Sequence, residues 1–192
     1  LTVDEGSSAN QISSTELSSS DPEGDSLTYT VSSLPSNGNL YVDSDEDGSA
    51  SDETALGSSG TFSQTNLDNG NVLYSHDGSE TTGDSFTFDL SDGTNTVSST
   101  TFSITVNSVN DAPSGSDNTV STYEDSDKVF AVSEFGFSDA DSGDSLQTVK
   151  ITSLPSAGQL YTDTTTTNGV VDSGEEITST GATVSRSVIS NG

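Results

Sequence analysis

Asp43-Ser44-Asp45-Glu46-Asp47-Gly48 sets carboxylates at alternate positions and follows them with a glycine. Hard oxygen donors at positions 1, 3 and 5, and a glycine at 6 where the chain must turn sharply, form the opening half of a calcium-wrapping loop. Position 12 of that frame is Thr54, which cannot supply the closing bidentate carboxylate, although Asp52 and Glu53 lie beside it. A later stretch, Thr164 to Glu175, has the complementary half. There Asn168, Gly169, Asp172 and Glu175 fill positions 5, 6, 9 and 12, while Thr164 and Thr166 replace the early carboxylates and Asp163 lies next door. The two loops predict two weak calcium sites, of the roughly 10⁻⁴–10⁻³ M class seen in extracellular modules. The alternative is a pair of solvated acidic hairpin tips.

Val109-Asn110-Asp111-Ala112-Pro113 offers a third place for a hard cation. Pro113 fixes φ and removes a donor, so no strand can pair straight through it. Asn110 and Asp111 put two oxygen-bearing side chains beside that stiff point. They read as a joint between modules, either binding an ion or serving as a plain polar hinge.

The 192-residue chain that carries these groups has a formal charge of −28 and only three strong bases, Lys128, Lys150 and Arg186. Such a field repels nucleic-acid phosphate and anionic lipid, which argues against both as partners. An apolar share of 27% with this charge borders on the composition of disordered chains. There is no cysteine, hence no disulfide framework and no thiolate metal site. No apolar run approaches the roughly 20 residues of a membrane span. Leu1-Thr2-Val3-Asp4 does not begin a signal peptide, so secretion would be encoded elsewhere or the chain is a fragment.

Pattern supplies the order that composition withholds. Ser33-Leu34-Pro35-Ser36-Asn37-Gly38-Asn39-Leu40-Tyr41 recurs as Ser153-Leu154-Pro155-Ser156-Ala157-Gly158-Gln159-Leu160-Tyr161. Asp21-Pro22-Glu23-Gly24-Asp25 matches the stretch containing Asp139, Asp141 and Asp144, Glu5 matches Glu124, and Asn69-Gly70 matches Asn191-Gly192. This predicts one module over 1–109, a linker over 110–113, and a second module over 114–192 that lacks its last strands. Leu27, Tyr29 and Val31, then Phe86, Phe88 and Leu90, then Phe102, Ile104 and Val106 alternate with polar residues, the period of half-buried strands. Asn37-Gly38, Asn69-Gly70 and Asp92-Gly93 mark turns. No segment shows a sustained 3.6-residue period, though 10–18 and 129–137 could hold a helical turn. The fold class is all-β, with tandem antiparallel sandwiches of Greek-key type, the second incomplete.

Phe135 through Leu146, followed by Val149-Lys150-Ile151-Thr152-Ser153-Leu154-Pro155, resembles bacterial tandem cadherin-like repeats. Val109 through Pro113 is similar to the inter-repeat linker of that family. Tyr74-Ser75-His76-Asp77-Gly78-Ser79-Glu80, with Asp84-Ser85-Phe86, resembles the related chondroitin-sulfate-proteoglycan type of repeat. The resemblance implies an Ig-like sandwich strung in arrays on secreted or surface-anchored adhesins, with calcium at the joints. It implies Glu5 and Glu124 on the opening strands as ligands, with Asn110 and Asp111 from the linker. The acidic loops would add Asp21, Glu23 and Asp25 in the first module and Asp139, Asp141 and Asp144 in the second. Ala112 stands where the eukaryotic linker has a further asparagine, which favours fewer ions.

Enzyme chemistry finds little footing. His76 is the only histidine, so any Ser-His-Asp triad would have to use it. Its place in the Tyr-x-His-Asp-Gly motif reads instead as a hydrogen bond fixing a strand end. A glycosidase carboxylate pair needs one acid kept protonated in an apolar pocket, and the chain has no tryptophan and few aromatics to build one. The reading is therefore a non-enzymatic, calcium-stiffened extracellular spacer or adhesive array. Its partners would be neighbouring repeats or other copies of the chain. One alternative is a calcium-dependent module binding cell-surface or matrix polysaccharide, with Tyr41 and Tyr161 stacking on a sugar. The other is a filament subunit assembled by strand donation between copies.

Overall fold

A computed structural model describes residues 1–164 and 172–191. The chain divides into two units, Leu1–Val109 and Asn110–Gly192. The first is a two-layer β-sandwich. Its strands are β1 (Thr2–Asp4), β2 (Asn10–Ile12), β3 (Thr28–Ser33), β4 (Gly38–Val42), β5 (Thr61–Ser63), β6 (Val72–His76), β7 (Gly83–Ser91) and β8 (Thr96–Asn107). One sheet runs β1-β8-β7-β3-β5 and the other β2-β6-β4. All pairs are antiparallel except β1 with β8, where Thr2, Val3 and Asp4 run parallel to Thr105, Val106 and Asn107.

The alternation read in the sequence sets which side chains enter the space between the sheets. Tyr29, Val31, Phe62, Phe86, Phe88, Phe102, Ile104 and Val106 enter from one sheet, and Ile12, Leu40, Val72 and Tyr74 from the other. Phe86 stacks among aromatics, 5.2 Å from Phe102 and 6.1 Å from Phe88 between ring centroids, while Tyr29 lies parallel to Phe62 at 4.9 Å. A short helix, α1 (Gln64–Asp68), plugs this core with Leu67. The 3.6-residue period gave no hint of it, because five residues are too few to show one. What starts it is Ser63, whose hydroxyl accepts from the Asn66 amide at 3.2 Å while Asn66 Oδ1 accepts from the Ser63 amide at 2.9 Å. The 10–18 stretch holds β2 and then a single turn closed by Leu17 N–H on Ser13 O at 3.0 Å.

Gly38 shows why the Asn37-Gly38 turn tolerates no side chain. A Cβ there would meet the Ser75 carbonyl and, at 2.7 Å, the ring of Tyr74. That ring is buried, and its hydroxyl donates to Asp84 Oδ2 at 2.9 Å. The same carboxylate accepts the Ser36 and Asn37 amides at 2.9 and 3.0 Å, so one aspartate ties β7, the β3–β4 turn and β6 together. Burial, then the hydrogen bond to Asp84 and its charge, push the Tyr74 phenol well above its ordinary value. A phenol that holds its proton more tightly when folded stabilises the fold up to its unfolded pKa of about 10, and that contribution is lost as pH climbs further. Urea unfolding should therefore show stability falling above about pH 10, with a shallower fall in Tyr74→Phe. Equal slopes in the two proteins would refute this assignment.

The described strands of the second unit are fewer and shorter. It contains β9 (Ser114–Gly115) paired with β10 (Phe137–Ser138), and β11 (Thr148–Lys150) paired with β12 (Thr183–Ser185). A 3-10 turn at Val132–Phe135 and a short helix, α2 (Arg186–Asn191), complete it. Two correspondences stand out. β11 meets β12 as β3 meets β5, and β12 runs directly into α2 as β5 runs into α1. Val149, Ile151 and Leu160, which occupy the places of Tyr29, Val31 and Leu40, are only half-buried, and among the described residues Ile189 is the one buried apolar side chain of this unit.

Candidate metal centre

The acidic loop after β4 is built by its own backbone. Asp43 N–H donates to Asn71 O at 2.8 Å, which fixes the loop entrance against the residue preceding β6. The Asp43 carboxylate is 3% exposed and accepts the Glu46 amide at 2.7 Å and the Gly48 amide at 2.8 Å. Gly48 takes φ +77°, open to glycine without penalty. Glu46 takes φ +64°, which costs a residue with a Cβ roughly 1–2 kcal/mol; its side chain accepts from Asn71 Nδ2 at 3.1 Å. The loop so formed turns Asp43, Asp45 and Asp47 together, each offering a carboxylate oxygen within 4.8 Å of the others.

The electrostatics of this trio are divided. Burial works to raise the Asp43 pKa, but the Gly48 and Glu46 amides outweigh it and hold the carboxyl below its ordinary value. Asp45 is raised, first by burial and then by the charge of Asp47. The two carboxyls are thus shifted in opposite directions, and a divalent cation among the three would favour the charged form of each. Asp43 and Asp47 border a polar cleft of about 560 Å³, lined also by Gln11, Glu46, Asn69 and Asn71.

The closing half of the loop departs from the twelve-residue frame. Neither Thr54 nor Glu53 joins the trio. Glu53 Oε1 instead accepts the Ser44 amide at 2.7 Å and the Ser44 hydroxyl at 2.8 Å, clasping the two ends of the loop. Glu175 does the same in the second unit. It is buried, and its two oxygens accept the Thr164 and Asp172 amides at 2.8 and 2.9 Å. The repeated feature is thus a glutamate clasp, legible only by aligning Ser44 with Thr164. Asn168 lies outside the described residues, and Asp172 is half-buried beside the clasp.

In the second unit Asp139, Asp141 and Asp144 bring carboxylate oxygens within 4.8 Å of one another. The Asp141 amide donates to Asp139 Oδ1 at 3.2 Å, and Asp141 Oδ2 accepts the Asp111 amide at 2.7 Å. The linker backbone is therefore tied to this loop, while Asn110 turns its side-chain amide to Asp111 O at 2.7 Å. The sister loop behaves differently. Asp21 Oδ1 accepts the Glu23 and Asp25 amides at 2.8 and 3.1 Å, and Glu23 and Asp25 stay exposed. Among the described residues Asp21, Glu23 and Asp25 form no convergent group.

Glu5 follows β1, with its amide on Asn107 O at 2.9 Å and its Oε2 accepting the Val109 amide at 3.3 Å. Its Oε1 is buried with no hydrogen-bond partner, a costly state for a carboxylate oxygen. Glu80 brings a carboxylate oxygen within 4.8 Å of that of Glu5. Sequence reading did not single out Glu80, although it closes the Tyr74–Glu80 motif. Glu124 lies in an exposed turn with Asp125 at φ +56°, as Glu5 lies in a turn with Gly6 at φ +65°.

These donor sets consist of carboxylates, the chemistry of a hard cation such as calcium. The buried, unpartnered Glu5 oxygen and the crowded Asp43–Asp47 trio both fit such an ion. His76 takes no part. It is 6% exposed; its Nδ1 accepts the Gly6 and Gly78 amides, each at 3.2 Å, and its Nε2 lies 3.0 Å from Thr81 Oγ1. With Nδ1 accepting twice, Nε2 carries the proton and donates to Thr81. The histidine pins the end of β6, and no serine hydroxyl reaches its ring among the described contacts.

A family model described as cadherin-like matches residues 1–106. "Extracellular matrix protein 3" of Lytechinus variegatus is 33% identical over 150 residues, which is 78% of this chain and 5% of that protein. No solved structure matches. Among the described residues no helix is long and apolar enough to cross a membrane.

Proposed function

This chain belongs to the cadherin-like family, and from that premise we propose that it is an extracellular structural or adhesion module stiffened by calcium. The observation that carries the reading is the Asp43–Asp45–Asp47 trio, held together by loop amides at the rim of a packed sandwich. Calcium there would be held by Asp43, Asp45 and Asp47, and in the second unit by Asp139, Asp141 and Asp144. The ion supplies charge neutralisation and a cross-link between loop residues. The protein's part is to hold the oxygens in place before the ion arrives, which spares the ordering entropy that a flexible acidic chain would lose. The similarity to an extracellular matrix protein supports the extracellular setting.

The partners in this reading are neighbouring repeats or further copies of the chain, in a secreted or surface-anchored array. The polysaccharide alternative is not favoured, because Tyr41 and Tyr161 are each half-buried, Tyr41 within the β4–β6 ladder and Tyr161 in a bridge to Glu176.

Calorimetric titration of calcium into the full chain is expected to show binding at roughly 10⁻⁴–10⁻³ M. Asp45→Asn removes a charge without touching the loop's amide anchors on Asp43, and should weaken the first-unit site about tenfold or more. Asp139→Asn should do so independently in the second. No heat at millimolar calcium, or curves unchanged in the double variant, would sink the proposal.

A further inference from the structure

We propose that Tyr123 is a site of tyrosine O-sulfation. Its ring is 86% exposed, whereas Tyr29 and Tyr74 are fully buried and Tyr41 and Tyr161 half-buried. It opens a tight turn, with the Ser126 amide donating to Tyr123 O at 3.2 Å and Asp125 at φ +56°, so the phenol projects from a reversal rather than from a paired strand. Acidic side chains follow at Glu124, Asp125 and Asp127. An accessible phenol followed by carboxylates is complementary to a transferase whose acceptor groove is basic, since such a groove must already hold an anionic sulfuryl donor.

The internal repeat supplies independent support. Because Glu124 matches Glu5, Tyr123 stands at the place of Asp4, which faces outward in the packed first unit and carries a carboxylate there. Where the first unit has an exposed carboxylate, the second has this exposed phenol. Sulfation would make the second unit like the first, with a permanent negative charge at the end of the opening segment. In the reaction the phenol oxygen attacks the sulfur of a nucleotide-linked sulfuric–phosphoric anhydride. An S–O bond forms to Tyr123, the S–O bond to the nucleotide phosphate breaks, and the phenolic proton passes to a base of the transferase. No redox change occurs. The inference rests on passage through a secretory pathway, and not on calcium binding.

The test incubates the full chain with a tyrosylprotein sulfotransferase and a radiolabelled sulfuryl nucleotide, with an acidic acceptor peptide as a control for enzyme competence. One sulfuryl group per chain is expected on the peptide containing Tyr123, and the label should be lost in Tyr123→Phe. Tyr123→Phe alters a solvated side chain, so its circular dichroism should match the parent. No label on the parent while the control peptide is labelled overturns the proposal, as does label retained in Tyr123→Phe. On protein from its native source, the mass of one sulfuryl group that survives phosphatase supports sulfation, and a phosphatase-sensitive group would assign Tyr123 to phosphoryl transfer instead.

Discussion

Phe86→Ala is expected to cost the first unit about 3–5 kcal/mol, close to its whole stability. The ring is completely buried, it lies within 5.2 Å of Phe102 and 6.1 Å of Phe88, and it stands in β7, between β8 and β3. Few neighbours can collapse into the space it leaves, because Tyr29, Phe88 and Phe102 are held by strands on both sides. With a 27% apolar share and a charge of −28, the chain has little reserve against such a loss. Ile151→Ala, at the place of Val31 in the second unit, should cost under about 1 kcal/mol because its side chain already meets solvent. Urea unfolding followed by tyrosine fluorescence and by circular dichroism measures both. Comparable losses in the two variants would mean that the second unit has a packed core after all.

That contrast also shows what the sequence made legible. Alternation identified Phe86, Phe88, Phe102, Ile104 and Val106 as one wall of the core, because period two leaves a strand no other way to bury its apolar face. The recurrence of Ser33–Tyr41 as Ser153–Tyr161 set the two segments in correspondence, and β11 and β12, which lie on either side of the second, pair as β3 and β5 do. The parallel pairing of β1 with β8 was not legible, since three residues carry no register and their partners lie at the far end of the unit. Nor was α1, which depends on a single capping exchange between Ser63 and Asn66.

At the candidate site the division is similar. Carboxylate spacing placed Asp43, Asp45 and Asp47 together, whereas Asp139, Asp141 and Asp144 entered through the family resemblance; each set brings carboxylate oxygens within 4.8 Å of one another. The resemblance implied Asp21, Glu23 and Asp25 as well, and among the described residues these form no such group. There Asp21 Oδ1 accepts two of the loop's own amides and the other two carboxylates face water. The twelve-residue frame put Glu175 at position 12 and left Glu53 beside that position in the first loop. A glutamate near the end of such a loop can reach either an ion or the loop's first amide, and both of these reach the amide. Sequence shows which oxygens are near one another; hydrogen bonding decides which remain to bind something else.

Calcium should raise the melting temperature of the first unit by about 10–20 °C at a hundredfold excess over the dissociation constant. An ion that binds only the folded form adds about 2.7 kcal/mol at that excess, and for a unit of this size each kcal/mol is worth roughly 4–8 °C. Part of this would come from relieving repulsion within the loop, where burial and then the charges of Asp47 and Asp52 raise the Asp45 pKa. Sodium chloride at matched ionic strength screens the diffuse field of the −28 chain but not carboxylates a few ångströms apart, so it should recover only a small part of the increment. Asp45→Asn provides the second arm. It removes one of the three crowded charges while leaving the Asp43 anchors in place, so it should melt no lower than the parent without calcium and gain far less with it. A full calcium response in Asp45→Asn would move the ion away from this loop. An equal response to sodium chloride would reduce the acidic clusters to a screened surface charge and remove calcium from the proposed function.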